Sequence, residues 1–436
     1  MIGQFKYYAK GLLNIALPII LGNLGFILIG VGDVLIAGRH STDTLAAISI
    51  ATAITNCIQI LGIGILVGVS PLLSNYRGEK RLAKKYFFPT IRFAIFLAAI
   101  IMFIILATIP IIDILNYSSN LTPLIKQYMF VTAFATFGGY LHAALKEYLQ
   151  AFEIVMFPNL VTAISVFLNI GLNIILVFGL GPIPSLGVLG LAIASLFVRY
   201  FMGIVLFIYC INTMKFENHK DWNYYKDLIK IGIPISFAIL IEFVAFNSIA
   251  VIMGRVAGVY AAAQNLICTM TTVSFMIPLA ISNAIAVKVG FANGAKNIPE
   301  LKKYSYAGLT MSIGFMAFSA LIFALFPEFL VKLFTTDTEL IKISVPIIYI
   351  LVIFQIFDGL QVSLSGIFKG LKKTKVVLFS SLVSYWFISI PLGYTLASKF
   401  GLNLEGFWVG LLIGSIALCS IMAILLLKNL RKLEQE

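Results

Sequence analysis

The sequence predicts an all-α integral membrane protein, with twelve transmembrane helices arranged as two parallel six-helix repeats around a central cavity. Three observations predict this fold: an apolar composition, an alternation of basic residues between successive loops, and an internal repeat. Of the 436 residues, 60% are hydrophobic and only 11% are charged, and the mean hydropathy is +1.02. Soluble domains carry about 25% charged residues, so most of this chain cannot face water.

Apolar runs of the length needed to cross a bilayer, about 20 residues each, follow one another along the whole sequence. Charged residues, glycines and prolines separate them into twelve predicted spans. The first is interpreted as an uncleaved span, because its apolar run is longer than the apolar region of a signal peptide. The spans cover residues 11–38, 44–72, 90–112, 126–148, 157–179, 187–211, 231–255, 259–288, 304–326, 340–367, 376–398 and 403–427.

Basic residues support this count of spans. Only six of the 31 Lys and Arg residues fall in odd-numbered loops; Arg199 is counted with the opposite face. An excess of Lys and Arg marks cytoplasmic loops, so both termini are expected in the cytoplasm. The same pattern accounts for the net charge of +13 without a nucleic-acid partner.

An internal repeat divides the chain into halves. Gly38 and Arg39 match Gly254 and Arg255 at an offset of 216 residues. Six crossings return the chain to the same face, so the two halves are expected to be parallel. The predicted organisation is an N-terminal lobe at 1–212, a cytoplasmic linker at 213–230 and a C-terminal lobe at 231–436. Further matched pairs are Ala46 with Ala262, Ala47 with Ala263, Gly78 with Gly294, Lys80 with Lys296 and, at an offset of 219, Gly187 with Gly406.

Three acidic residues lie well inside predicted spans: Asp33 in the first, Glu242 in the seventh and Asp358 in the tenth. A charge in the bilayer is costly and usually serves function. Asn169 and Asn173 are four residues apart on the fifth span and therefore share one helical face. With Asp33 they form either a site for a monovalent cation or proton, or a structural hydrogen-bond cluster.

Asp358 belongs to a polar stripe with Gln355 and Gln361, which is expected to face protein or a cavity rather than lipid. Aromatic side chains near the acids suit a lipophilic cation through cation–π contact, although such residues are more often core. The candidate aromatic residues are Phe246, Phe275 and Phe357.

The cysteines and histidines give no metal or catalytic pattern. The four cysteines are isolated and the three histidines are scattered, so no disulfide framework, zinc site or cofactor is predicted. A membrane-embedded enzyme would need convergent catalytic groups that the sequence does not supply. The chain is therefore not expected to be an enzyme.

Four stretches carry a resemblance to a known family. PIILGNLGFILIGVGDVLIAGRHSTDTLAAIS resembles the first-helix region of MATE transporters. IPISFAILIEFVAFNSIAVIMGRVAGVYAAAQN, FQIFDGLQVSLSGIFKGLKKTK and SYWFISIPLGY resemble the seventh and eighth, the tenth and the eleventh helices of the NorM-type branch. The resemblance extends over nearly the whole chain.

This resemblance implies export of amphiphilic, mostly cationic compounds, driven by inward movement of Na⁺ or H⁺. It places Glu242 and Asp358 at the cation-coupling site, with Na⁺ as one possible ligand, and Asp33 at the first-helix acid of the family. Phe275 matches an aromatic position near the coupling site. Asn169 and Asn173 stand where archaeal-type members carry a second acid, which weakens a proton relay through paired acids in that lobe.

Other functions remain open at this stage. A flippase of lipid-linked saccharide precursors shares the architecture, but sparse basic residues within the spans disfavour it. A channel fits the duplicated halves less well than a transporter does. The expected partners are small organic cations and the lipid bilayer, and the expected form is a monomer in the bacterial inner membrane.

Overall fold

A computed structural model describes residues 2–214 and 221–435. Within these ranges the structure is helical and contains no β-strand, and it has twelve long helices. The predicted all-α fold with twelve transmembrane helices is confirmed. The helices are α1 (Ile2–His40), α2 (Thr42–Leu66, continued by Val69–Gly78), α3 (Phe87–Thr108), α4 (Leu121–Ala151), α5 (Met156–Phe178), α6 (Val188–Thr213), α7 (Trp222–Gly254), α8 (Gly258–Gly294), α9 (Ile298–Leu325), α10 (Thr338–Gly370), α11 (Thr374–Leu382, Val383–Ser389 and Ile390–Lys399) and α12 (Asn403–Gln435).

Three short helical segments join the long helices of the described chain: Ala83–Tyr86 before α3, Ile111–Ile114 after it, and Pro327–Lys332 after α9. Most long helices extend beyond the predicted spans, because a helix continues past the apolar core of a bilayer wherever its backbone hydrogen bonds allow. α3 ends earlier than predicted, at Thr108, two residues before Pro110. Of the predicted linker at 213–230, residues 215–220 lie outside the described residues, and α7 begins at Trp222.

Eleven of these long helices are apolar enough, by length and composition, to cross a membrane; this comparison covers the described residues. The exception is α4, in which His142, Glu147 and Gln150 are buried. In total, more than half of the residues of α4 are buried. A helix whose polar side chains lie against protein needs less apolar surface than one that faces lipid.

The backbone reproduces the internal repeat found in the sequence. Lys80 and Lys296, matched at an offset of 216, both have positive φ, of 59° and 54°. Glu153 and Lys372, at an offset of 219, follow α4 and α10 with φ of 64° and 57°. Non-glycine residues adopt this left-handed region only rarely. Its recurrence at equivalent helix ends therefore supports a duplicated six-helix unit.

The described chain forms two compact units. The N-unit comprises Pro18–Leu73 and Lys80–Ser236. The C-unit comprises the chain up to Leu17, Ser74–Glu79 and Phe237–Glu436. Asp33 thus belongs to the N-unit, whereas Glu242 and Asp358 belong to the C-unit. The predicted lobe boundaries at 212 and 231 stay a prediction.

Candidate functional site

Glycines on α1 place Asp33 close to α5. A Cβ atom added at Gly22 would lie 2.0 Å from Oδ1 of Asn159, and one at Gly32 would lie 3.2 Å from Ile170. Together with Gly25, which approaches Thr162, these glycines form a smooth face against α5. Small residues allow transmembrane helices to approach closely. As a result the side chain after Gly32, that of Asp33, reaches the amides of α5.

The structure brings together all three residues that the sequence predicts for the N-terminal half. Asn173 Nδ2 donates to Asp33 Oδ1 at 2.6 Å and to Asn169 Oδ1 at 3.1 Å. Ser195, on α6, donates to Asp33 Oδ2 at 3.3 Å. We call Asp33, Asn169, Asn173 and Ser195 the N-unit cluster. Both carboxylate oxygens of Asp33 therefore already accept a hydrogen bond from protein donors.

Arg199 lies one helical turn after Ser195, near the middle of α6. Its Nη1 donates to Oε1 of Gln59 on α2 at 3.1 Å, and its charge acts on the Asp33 carboxylate. The count of basic residues in the sequence assigned Arg199 to the loops of one face. This assignment is wrong, because Arg199 lies within α6. Because α6 is 26 residues long, Arg199 is about 17 Å from its start, at about 1.5 Å per residue.

The two predicted acids of the C-terminal half also meet. Gln361 Nε2 donates to Glu242 Oε1 at 3.4 Å and to Asp358 Oδ1 at 3.2 Å. Tyr385, on α11, donates its hydroxyl to Glu242 Oε1 at 3.0 Å. We call Glu242, Asp358, Gln361 and Tyr385 the C-unit cluster. Asp358 is only 4% exposed, and the second oxygen of each carboxylate receives no hydrogen bond from the described residues.

A π-helical segment of α11, Val383–Ser389, carries Tyr385. Pro391 follows it, and a proline ring clashes with the carbonyl four residues earlier, which favours a wider turn at that point. π-Helical turns are frequent at functional sites. Trp386, in the same segment, donates Nε1 to the Ile241 carbonyl of α7 at 3.3 Å. The wide turn thus directs two consecutive side chains toward the helix that carries Glu242.

Aromatic rings lie beside the C-unit cluster. The ring of Phe246, one turn after Glu242 on α7, lies 6.1 Å from the Tyr385 ring and 6.2 Å from those of Phe354 and Trp408. Gln264 fixes this group, because its Oε1 accepts from Trp408 Nε1 at 2.9 Å and its Nε2 donates to the Phe246 carbonyl. Edge-to-face packing of this kind stabilises aromatic clusters. The prediction of Phe246 beside the acids agrees with this geometry.

The other predicted lining residues lie in different surroundings. Gln355 accepts a hydrogen bond from Ser319 of α9 at 2.8 Å and makes none with Glu242 or Asp358. Among the described residues, no ring contact involves Phe275 or Phe357, although the Phe357 carbonyl accepts from Cys419. Their proposed lining role stays a prediction.

An apolar cavity of about 460 Å³ lies in the C-unit between α8 and α9. Ser319, the partner of Gln355, lies in its wall together with Ser274. The rest of the wall is apolar, with Met270, Phe315 and Phe318 among its members. Ligand pockets typically combine an apolar wall with a few polar groups. This cavity has that composition.

The C-unit cluster has the chemistry of a monovalent cation or proton site. Its side chains offer carboxylate, amide and hydroxyl oxygens, which hard cations prefer over nitrogen and sulfur. No group of three or more His, Cys, Asp or Glu residues that could hold a metal ion occurs in the described part of the chain. Two carboxylates in one buried site repel each other, so binding one cation or one proton relieves that repulsion.

The family model MatE matches residues 18–175 and 234–395, one segment in each half of the chain. The chain belongs to the MatE family. It is therefore a multi-pass membrane transporter, and the resemblance to MATE transporters in the sequence is confirmed.

Curated relatives and solved structures extend this assignment over nearly the full length. The chain is 27% identical to the probable multidrug resistance protein NorM of Bacillus subtilis (strain 168), over 94% of this chain and 93% of that protein. It is also 27% identical to the protein of the same name from Mesorhizobium japonicum, over 97% and 94%. A crystal structure of a variant of the Vibrio cholerae MATE transporter VcmN has a TM-score of 0.91 at 19% identity and covers 99% of this chain and 98% of that one. The eukaryotic MATE transporter AtDTX14 has a TM-score of 0.87 at 20% identity and covers 99% of both.

Sequence reasoning missed several residues of these two clusters. Ser195, Arg199 and Gln59 were not predicted in the N-unit, nor Tyr385 and Trp408 in the C-unit. A signal existed for Arg199, since a basic residue twelve positions into a 26-residue apolar helix is far from either end. Tyr385 gave a weaker signal, as a hydroxyl six residues before Pro391 in an otherwise apolar helix.

Proposed function

We propose that this MatE transporter is an antiporter that exports amphiphilic, mostly cationic compounds in exchange for inward-moving Na⁺ or H⁺. The observation that carries the proposal is the C-unit cluster, in which two carboxylates within membrane-spanning helices share one amide donor. Each carboxylate also keeps one oxygen that receives no hydrogen bond from the described part of the chain. The relatives named as multidrug resistance proteins support the class of substrate. We further propose a bacterial inner-membrane location, with both termini in the cytoplasm.

The coupling follows from charge. A site with two carboxylates and one open oxygen on each binds a small cation tightly, and binding reduces its net negative charge. The Phe246, Tyr385 and Trp408 rings next to it can stabilise an organic cation through their π faces. The coupling ion and the organic cation compete for the same carboxylate oxygens, so binding of one weakens binding of the other. If the site opens to the two sides of the membrane in turn, this competition couples inward movement of the ion to export of the organic cation.

The number of ions per cycle decides how the membrane potential contributes. One charge moved across 100 mV is worth about 2.3 kcal/mol. Exchange of one monovalent ion for one monovalent organic cation moves no net charge and is driven by concentration alone. Exchange of two ions moves one net charge, and two acids provide enough negative charge for this.

Efflux of a fluorescent cationic dye from reconstituted vesicles tests the proposal. A Na⁺ gradient and a pH gradient are imposed separately, and protein-free vesicles serve as the control. We expect one gradient to drive efflux and the double variant Glu242→Gln, Asp358→Asn to abolish the gradient-dependent part. Dye efflux that is insensitive to both gradients would refute antiport, and an inability to move any cationic dye would refute the substrate class.

A further inference from the structure

Arg199 lies beside the N-unit cluster, and the proposed coupling uses neither this residue nor that cluster. A cation in the middle of a transmembrane helix is costly and normally has a functional reason. The side chain is half-buried, and among the described residues no ion pair joins it to an acid. Its recorded hydrogen-bond partner is the neutral oxygen of Gln59. The charge of Arg199 therefore acts on the Asp33 carboxylate without a direct ion pair.

The carboxylate of Asp33 accepts a hydrogen bond on each of its oxygens. Oδ1 accepts from Asn173 and Oδ2 accepts from Ser195, so protein donors already use part of the acceptor capacity of both oxygens. The uncovered acceptor of the cluster is Oδ1 of Asn173, which is buried without a partner but carries no net charge. A neutral amide oxygen alone is a poor ligand for a monovalent cation in a low-dielectric environment.

The positive charge of Arg199 also disfavours a cation at Asp33. Ser195 touches Asp33, and Arg199 follows Ser195 by four residues, so it lies one turn along the same face of α6. At such a distance inside a protein, unit charges interact strongly because water screens them little. The positive guanidinium offsets the charge of Asp33 and repels a second cation.

We infer that Arg199 excludes monovalent cations from Asp33 and so leaves the binding of the coupling ion to the C-unit cluster. Arg199 is thus a specificity-determining residue: it decides which of the two acid clusters is open to the ion. The inference deepens the coupling half of the proposed function and rests on it for its role in transport. Cation binding itself can be measured without transport.

Equilibrium binding of ²²Na⁺ to the purified full-length protein at alkaline pH, where protons compete little, tests the inference. We expect Asp33→Asn to leave the Na⁺ binding of the wild-type protein unchanged. Arg199→Gln should create a Na⁺ site, or tighten one by about tenfold or more, and adding Asp33→Asn should remove that gain. Arg199→Lys keeps the charge and should keep the exclusion.

The matched control is Arg255→Gln, which removes an exposed arginine just after α7 and should change nothing. Two results would overturn the inference: loss of wild-type Na⁺ binding in Asp33→Asn, or no Asp33-dependent gain in Arg199→Gln. The comparison of Asp33→Asn with the wild-type protein involves no change at Arg199. It can therefore overturn the inference even if the Arg199→Gln protein misfolds. If the gain occurs while Glu242→Gln leaves Na⁺ binding intact, the exclusion of cations from Asp33 by Arg199 stands, but the assignment of the ion to the C-unit cluster fails together with the proposed coupling.

Discussion

The two units carry acid clusters that share the first and fifth helices of the repeat (α1 and α5, α7 and α11), yet the clusters differ in charge and in access. In the N-unit, Asp33 has both oxygens hydrogen-bonded, and Arg199 supplies a positive charge one turn beyond Ser195. In the C-unit, Glu242 and Asp358 share the donor Gln361 and keep uncovered oxygens. In the C-unit the charge of Lys369 acts on Glu242, so that unit has one positive charge for two acids, whereas the N-unit has one for a single acid. The C-unit cluster therefore still lacks one positive charge.

The repeat offsets locate the positions at which this difference arises. At an offset of 219, Asp358 on α10 corresponds to Gly139 on α4. A Cβ at Gly139 would lie 3.5 Å from Cδ of Arg199. Because Gly139 has no side chain, the arginine side chain has space next to α4. At an offset of 216, Phe275 on α8 corresponds to Gln59 on α2, which accepts the arginine hydrogen bond. A duplicated framework therefore holds a second acid in one copy at the position that leaves space for Arg199 in the other.

The largest effect on stability is expected at a glycine that allows two helices to pack closely beside the C-unit cluster. A Cβ at Gly410 on α12 would lie 2.5 Å from the Ser389 carbonyl oxygen and 2.7 Å from the Gly393 nitrogen. Gly410→Ala should destabilise the fold by about 1–3 kcal/mol, because backbone atoms cannot yield as a flexible side chain does. The melting temperature in detergent measures this. Gly410→Ala should also disturb the π-helical segment that carries Tyr385 and thereby change ion affinity.

Two alanine variants serve as controls for Gly410→Ala. Gly314, on α9, has no atom within 4 Å of an added Cβ, so Gly314→Ala should be neutral or slightly stabilising. Gly138→Ala meets the Tyr200 nitrogen at 2.6 Å and should lower stability while leaving ion affinity unchanged, because it acts in the N-unit. Equal melting temperatures for Gly410→Ala and Gly314→Ala would contradict the packing described for α11 and α12.

A smaller effect is expected at Tyr385. Its hydroxyl donates to Glu242 and stabilises the empty, ionised carboxylate. Hydrogen bonds to charged groups contribute about 1.5–3 kcal/mol, so Tyr385→Phe should tighten binding of the coupling ion by about tenfold or more and slow its release. Ion titration of binding, together with turnover at saturating ion, measures both. Weaker binding in Tyr385→Phe would show instead that the tyrosine oxygen is itself a ligand of the ion.

Much of the fold could be predicted because the bilayer imposes simple rules on the sequence. Apolar length, loop charge and the repeated Gly38–Arg39 pair depend on local composition, and all twelve helices follow from them. The boundaries were less accurate, since helix ends depend on turn residues and prolines such as Pro110. The π-helical turn of α11 was not predicted, because its cause is the clash before Pro391 combined with packing on Gly410.

The acids were found from the sequence because a charge inside an apolar run is conspicuous by itself. Their partners were harder to find, since hydrogen bonds such as Tyr385 to Glu242 join helices 143 residues apart in sequence. Arg199 was counted with the loops although the predicted span 187–211 already places it far from both ends. Its significance depends on Gly139 and Gln59, which are inconspicuous until the chain is folded.

The most direct test of this division between the units compares Asp33→Asn with Glu242→Gln in gradient-driven dye efflux. Efflux is measured in vesicles over a range of coupling-ion concentrations, so that an apparent ion affinity is obtained for each protein. We expect Asp33→Asn to retain the wild-type ion dependence, even if its maximal rate falls, and Glu242→Gln to lose it. Loss of ion dependence in Asp33→Asn with its retention in Glu242→Gln would contradict the account and place the coupling site in the N-unit.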